Sequence, residues 1–148
     1  MTGGAGAATG RRARRIGAAV VLAIVIAAGL FVAAVLPDTA ATDIAGDALY
    51  AVAAYIGLVM LAPRARSLVI GAIALGWCVA VELFQLTGVP LALGAAFPPA
   101  MLVLGTVFDA RDLVVYAVAV VAVCAIDFAV RGALGRRRAR AAETGSRG

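Results

Sequence analysis

Long apolar runs separated by short charged segments organise this chain. Four runs have the length of a membrane-crossing helix, for which about 20 apolar residues are needed. Prolines and charged residues stand between them, as expected where a helix leaves the bilayer. The pattern predicts an all-α polytopic membrane helix bundle, with one membrane domain over residues 16–131. Its four predicted transmembrane helices cover about residues 16–36, 44–62, 68–89 and 113–130.

The first apolar run follows a cluster of arginines, and a secretory signal peptide has the same order. The apolar core of a signal peptide has about 7–15 residues. The run from Ile16 to Leu36 is longer, so we expect an uncleaved transmembrane helix. Residues 1–15 and 132–148 are rich in arginine and small residues, and they are predicted to be disordered basic tails.

Residues 89–108 are apolar enough to span a bilayer, but Pro90, Gly94 and the pair Pro98-Pro99 interrupt them. Arginine favours the cytoplasmic side of a membrane, and this bias decides between four and five spans. With four spans, every arginine except Arg111 falls on one side. We therefore predict that this segment forms a re-entrant or interfacial hairpin on the outer side, and that both termini are cytoplasmic.

Composition supports a membrane protein and argues against other classes. Hydrophobic residues make up 64% of the chain and charged residues 14%, whereas about a quarter are charged in soluble domains. All 13 basic residues are arginines beside apolar runs, so the net charge of +5 fits membrane topology, and we expect no nucleic-acid partner. The chain has no histidine, and Cys78 and Cys124 both lie within spans. No metal site and no cofactor is therefore predicted.

Glu82 and Gln85 are polar residues inside the third apolar run. A charge at membrane depth costs roughly 3 kcal/mol, so such a residue is a candidate for a functional site. The two are three residues apart and therefore share one helix face. Polar residues at the adjacent ends of the second and fourth helices can join them if these helices pack together. The predicted polar pocket consists of Asp47, Glu82, Gln85, Arg111, Asp112 and Tyr116.

These residues also have structural explanations. Glu82 and Gln85 can hydrogen-bond between helices, with each bond contributing ~1 kcal/mol. Asp112 can cap the helix that follows it, and Asp47 can face water at the interface.

At the other end of the last helix, Asp127 and Arg131 are four residues apart. This spacing predicts a local structural ion pair, in which the Arg131 side chain reaches the membrane surface.

Two segments resemble the domain-of-unknown-function 2809 family, which comprises small bacterial multi-pass membrane proteins with no assigned activity. They read Glu82-Leu-Phe-Gln85-Leu and Leu102-Val-Leu-Gly105-Thr-Val-Phe108-Asp-Ala-Arg-Asp112-Leu-Val-Val-Tyr116. The resemblance covers about residues 44–131. A more distant similarity is to VanZ-like membrane proteins, which are associated with the cell envelope and with tolerance of glycopeptide antibiotics.

The resemblance implies a role for Glu82, Gln85 and Asp112, together with Gly105, Phe108 and Tyr116. The chain departs from the pattern of both families at two points. Residues 87–110 contain no arginine, although the families usually place one between the two motifs. Ala119 stands where a glycine is expected. An acid–base or headgroup-binding role in this chain therefore requires Arg111 to take the place of the missing arginine.

Three functions are compatible with these features. The leading hypothesis is an accessory cell-envelope protein that recognises a lipid or lipid-linked headgroup near the outer leaflet, with Arg111 as its anion contact. The first alternative is a small proton-coupled transporter that uses Glu82 and, having few spans, works as an oligomer. The second is a structural bundle with no ligand. An enzyme is less favoured, because the chain has no histidine and no Ser/Lys pair.

The expected location is the cell membrane of a bacterium, with several passes through it. The expected partners are membrane lipids, a lipid-linked envelope precursor and further copies of the chain.

Overall fold

The structure, a computed structural model, describes residues 3–105 and 107–145. These ranges are mostly helical and contain no strand. The elements are α1 (Gly3–Val35), α2 (Ala40–Leu61), α3 (Ser67–Gln85), α4 (Val89–Ala96), a 3₁₀ turn (Pro98–Ala100), α5 (Met101–Leu104) and α6 (Ala110–Gly145). In the described ranges α1, α2, α3 and α6 are long and apolar enough to cross a membrane. The predicted all-α bundle with four spans is confirmed.

Helix α2 is central, because it packs against α1, α3 and α6, and α6 also packs against α3. The core lies where α2, α3 and α6 meet, and it includes the fully buried Ala51, Tyr55, Ala74 and Cys78. Small residues allow a close approach, since a Cβ added at Gly71 would lie 3.4 Å from the sulfur of Cys124. The other helix faces carry exposed aliphatic side chains, as a bilayer requires.

The tails are more ordered than the sequence predicted. Helix α1 begins at Gly3 and α6 continues to Gly145, whereas residues 1–15 and 132–148 were expected to be disordered. Alanine and arginine are strong helix formers, and extending an existing helix is far easier than starting one. Residues 1, 2 and 146–148 of these tails lie outside the described part of the chain.

The segment after α3 forms a broken hairpin, as predicted. Helix α3 ends at Gln85, earlier than expected, and Gly88 with φ 70° ends the turn that follows. Helices α4 and α5 are both too short to span a bilayer, and they pack against each other and the end of α3. The hairpin therefore covers one end of the bundle, beside the start of α6. That it faces the outer side of the membrane stays a prediction.

Two of the spans begin earlier than predicted because local caps fix their first turns. The side chain of Thr39 accepts a hydrogen bond from the Thr42 amide, and the Thr42 hydroxyl oxygen accepts one from the Thr39 amide. This reciprocal pair starts α2 at Ala40. In α6, Oδ1 of Asp109 accepts a hydrogen bond of 2.8 Å from the Arg111 amide, so the helix begins before residue 113.

Candidate functional site

Glu82 is completely buried, and both of its carboxylate oxygens have a donor. The Tyr116 hydroxyl donates to Oε1 at 3.1 Å, and the Asp109 amide donates to Oε2 at 3.3 Å. The inward face of α3, with buried residues at helical spacing, places Glu82 against α6. Glu82 therefore joins α3 to the first turns of α6.

Gln85 lies one turn further along α3, is 7% exposed and holds the hairpin. Its side-chain nitrogen donates a 2.9 Å hydrogen bond to the Leu104 carbonyl, while Oε1 has no partner among the described residues. Gly105 follows with φ 63°, a conformation that other residues rarely adopt. A Cβ at this position would also collide with the Gln85 amide nitrogen. Only glycine fits here without strain.

Tyr50 belongs to the same region, although the sequence analysis did not include it. Its hydroxyl donates to the Val103 carbonyl at 2.7 Å and accepts a hydrogen bond from the Trp77 indole at 2.9 Å. The rings of Tyr50 and Tyr116 pack in a tilted arrangement, with centroids 6.1 Å apart. Tyr50 stands three residues after Asp47 on the same face of α2, and this spacing was the available signal.

Arg111 is surrounded by carboxylates. Its guanidinium lies 3.5 Å from Asp112, 3.6 Å from Asp109 and 3.9 Å from Asp43. These distances exceed those of good charge-assisted hydrogen bonds, and the Arg111 side chain is 40% exposed. Arg111 therefore sits at the rim of the site in loose ion pairs.

Asp112 does not cap α6, because Asp109 takes that place. Its side chain is 13% exposed, and its buried Oδ1 has no hydrogen-bond partner among the described residues. The half-buried Asp47 of α2 faces the carboxyl group of Asp112, and Arg111 and Glu82 also lie near it. The alternative that Asp112 caps α6 is therefore wrong, whereas a water-facing position for the half-buried Asp47 stays a prediction.

The structure brings together all six predicted pocket residues, with Gln85 at the side of the hairpin. We call this region the acidic end, because among the described residues five carboxyl groups gather there with one arginine, Arg111: those of Asp43, Asp47, Glu82, Asp109 and Asp112. Exposure rises from Glu82 at 0%, through Asp112 at 13%, to Asp109 at 50%. In the described ranges no three of these groups are arranged to hold a metal ion. The geometry can instead accept hydrogen bonds or protons along a path from the surface to Glu82.

At the opposite end of the bundle, the predicted ion pair between Asp127 and Arg131 is wrong. The Asp127 carboxylate pairs with Arg14 of α1 at 2.9 Å. Arg131 instead donates to the Ala65 carbonyl at 2.8 Å and to the Ser67 hydroxyl at 3.3 Å. The packing of α1 in the bundle explains this difference. Arg14 on α1 competes with Arg131, one turn away on α6, for the Asp127 carboxylate.

Asp127 also accepts hydrogen bonds from two residues that the sequence analysis missed. The Ser67 hydroxyl donates to Oδ2 at 2.6 Å and the buried Tyr55 hydroxyl at 3.1 Å. Arg14 further donates to the Pro63 carbonyl. This network ties α1, α2, α3 and α6 together. Its members are far apart in the chain, so spacing alone gave no signal for it.

The helices and their buried polar contacts define a multi-pass α-helical membrane protein with a polar cluster at one end. The family model for protein of unknown function DUF2809 matches residues 36–120, and the chain belongs to that family. The predicted relationship is thus confirmed, while the similarity to VanZ-like proteins stays a prediction. The match includes Glu82, Gln85, Asp112 and Tyr116 but leaves out α1 before residue 36. Neither curated proteins nor solved structures gave a match.

Proposed function

We propose that the acidic end binds the ammonium-bearing headgroup of a membrane lipid or of a lipid-linked envelope precursor. The observation that carries the proposal is a pair of buried acceptors: in the described part of the chain Gln85 Oε1 has no hydrogen-bond partner, and Asp112 Oδ1 has only a loose ion pair with Arg111 at 3.5 Å. A buried acceptor without a donor costs roughly 1–3 kcal/mol, so a ligand that donates hydrogen bonds to it gains this energy.

The charge of the site supports a cationic group. Four of the five carboxyl groups of the acidic end lie near the Arg111 guanidinium and Glu82 lies deeper, so carboxylates outnumber the arginine and a purely anionic ligand would be repelled. A primary ammonium carries three N–H donors and a positive charge, and it therefore complements the unpaired acceptors. A quaternary ammonium has the charge without the donors. This difference separates the two kinds of headgroup in an experiment.

Arg111 supports a headgroup that carries a phosphate beside the ammonium. Its three ion pairs measure 3.5–3.9 Å, and its side chain is 40% exposed. Such loose contacts allow the guanidinium to turn to a phosphate at the rim, where arginine binds well in a bidentate manner. Arg111 would then contact the phosphate while Asp112 and Gln85 contact the ammonium.

The orientation of the bundle follows from the arginines at the opposite end. Arg14 and Arg64 at that end, with Arg131 and the arginines beyond it, favour the cytoplasmic side. On this basis both termini are cytoplasmic, and the acidic end reaches the outer leaflet of the bacterial cell membrane. The function that we propose is therefore that of an accessory protein of the cell envelope.

The test is the lipid preference of the purified full-length protein, measured as lipid retained in native mass spectrometry. Phosphatidylethanolamine should be retained more strongly than phosphatidylcholine, which has the same charges but no N–H donor. Asp112→Asn should remove the preference, whereas Asp38→Asn, which removes an exposed charge from the nearby α1–α2 loop, should preserve it. Equal retention of ethanolamine and choline lipids by the unchanged protein would refute the proposal.

A small proton-coupled carrier is the second candidate, and one observation favours it. The carboxyl group of Asp47 faces that of Asp112, and neighbouring carboxyl groups at membrane depth are typical of proton relays. With buried Glu82 behind them, they form a proton-accepting path. Reconstituted vesicles should then show a proton flux that Glu82→Gln abolishes. If the protein shows neither a preference among lipids nor a proton flux, the remaining candidate is a structural bundle with no ligand.

A further inference from the structure

The arginine-rich end of the bundle contains a cleft between the first turns of the α1 span and the loop that follows α2. Its volume is ≈ 660 Å³, and four arginines line it, three from α1 and one from the loop. No acidic residue lies among its lining residues. These arginines are Arg11, Arg12, Arg15 and Arg64. The cleft thus concentrates positive charge where the bundle meets the membrane surface.

The arginines in this cleft differ from their neighbours in having no counter-charge. Arg14 is paired with Asp127, and Arg131 is bonded to Ala65 and Ser67. For the cleft arginines, by contrast, the described part of the chain shows no hydrogen bond and no ion pair. Their positive charges therefore remain available to an outside anion.

Their spacing creates a repulsion that an anion would relieve. Arg11 and Arg15 stand four residues apart on α1, and like charges at this spacing destabilise a helix. Arg64 adds a further positive charge from the neighbouring loop. An anion between the three guanidinium groups would turn this repulsion into attraction, because each group offers N–H donors in a geometry that suits phosphate.

The floor of the cleft is apolar. Ile16 and Leu61 line it below the arginines, and they are 56% and 71% exposed. Both side chains belong to membrane-crossing helices, so the lipid acyl chains reach them. A ligand with a phosphate and attached acyl chains would fill both parts of the cleft, whereas a soluble anion would use only the upper part.

We infer that this cleft binds the phosphate of an anionic phospholipid, with its acyl chains against Ile16 and Leu61. The site is separate from the acidic end in position and in charge, and the inference does not depend on the proposed function. Juxtamembrane clusters of basic residues recognise anionic lipid in this way, each residue strengthening the binding roughly fivefold.

The test is a titration of the full-length protein with phosphatidylglycerol in native mass spectrometry. The triple variant Arg11→Gln, Arg15→Gln, Arg64→Gln should bind this lipid about a hundredfold more weakly, since three basic residues are lost. A matched triple variant, Arg66→Gln, Arg136→Gln, Arg137→Gln, removes the same charge outside the cleft and should lose clearly less binding, because these arginines do not line the phosphate site. Binding of phosphatidylcholine should be the same in all three proteins.

Three outcomes would overturn the inference. One is an equal loss in both triple variants, because binding would then depend only on net charge. Another is displacement of the lipid by millimolar inorganic phosphate, which would make the cleft a site for a soluble anion. The third is equal binding of phosphatidylglycerol by the unchanged protein and by Arg64→Glu. This single variant lies in an exposed loop and tests the cleft even if the triple variant fails to fold.

Discussion

The Tyr116 hydroxyl donates a hydrogen bond of 3.1 Å to Oε1 of Glu82, and this bond joins α6 to α3 inside the bundle. Both side chains are almost fully buried, at 4% and 0% exposure. Glu82 receives a second donor from the Asp109 backbone, which belongs to the segment just before α6. The carboxylate is therefore part of the packing between helices as well as the deepest group of the acidic end.

Tyr116→Phe removes the hydroxyl and keeps the ring. We expect the free energy of unfolding to fall by about 1 kcal/mol, the usual scale for a hydrogen bond between membrane helices. Unfolding of the purified protein by a denaturing detergent would measure this change. In a Glu82→Ala background the same substitution should have almost no further effect, because its acceptor is gone. Fully additive losses would show that the two side chains do not interact.

Gly105→Ala should destabilise the hairpin, because the backbone there has φ 63° and the new Cβ would collide with the Gln85 amide. The strain of a non-glycine residue in this region alone costs roughly 1–3 kcal/mol. Gly76→Ala is the matched control, since nothing lies within 4 Å of its added Cβ and alanine favours a helix. Protease digestion of the hairpin should accelerate in the first variant only. Equal digestion rates would contradict the geometry around Gly105.

Much of this architecture was predictable from local sequence. The apolar runs predicted the four spans, and the interrupting prolines and glycines predicted the broken hairpin after α3. Glu82 and Gln85 stood out because a polar residue inside a span must have a partner. Asp112 and Tyr116 were included because they lie one turn apart at the adjacent end of the last predicted helix. These signals all lie within one helix or between adjacent ones.

The contacts that the sequence did not predict are those between distant segments. Asp127 pairs with Arg14 rather than with Arg131, because α1 and α6 reach the same end of the bundle. Within one helix, the residue four positions away is the expected ion-pair partner of a charged side chain. The partner found in the structure depends instead on how the helices pack. The roles of Tyr55 and Ser67 have the same origin. Tertiary packing decides which of several possible charged partners is used.

The pairing of Asp127 with Arg14 can be measured by a double-mutant cycle. We expect Arg14→Gln and Asp127→Asn each to lower the free energy of unfolding by about 1.5–3 kcal/mol, as for hydrogen bonds to charged groups. The double variant should lose clearly less than the sum, because both changes break the same contact. The cycle of Asp127 with Arg136, an arginine further along α6, is the control and should be additive. A coupling as small as in this control would refute the pairing.

The orientation of the bundle can be determined by labelling single cysteines from outside intact cells. In a background without Cys78 and Cys124, we would place them at Thr87 and Ala96, which are exposed beside the hairpin, and at Arg66 and Arg137, which are exposed at the arginine-rich end. The choice of Arg66 avoids Ser67, which is buried and bonded to Asp127.

Reaction at residues 87 and 96 alone would place the acidic end outside, as the distribution of arginines predicts. Reaction at residues 66 and 137 alone would reverse the orientation, and a headgroup site in the outer leaflet would then be wrong. The anionic-lipid cleft would survive that result, because it depends on charge and shape and not on the side it faces. Permeabilised cells provide the control, since every exposed position should react there. This measurement therefore separates the two proposals.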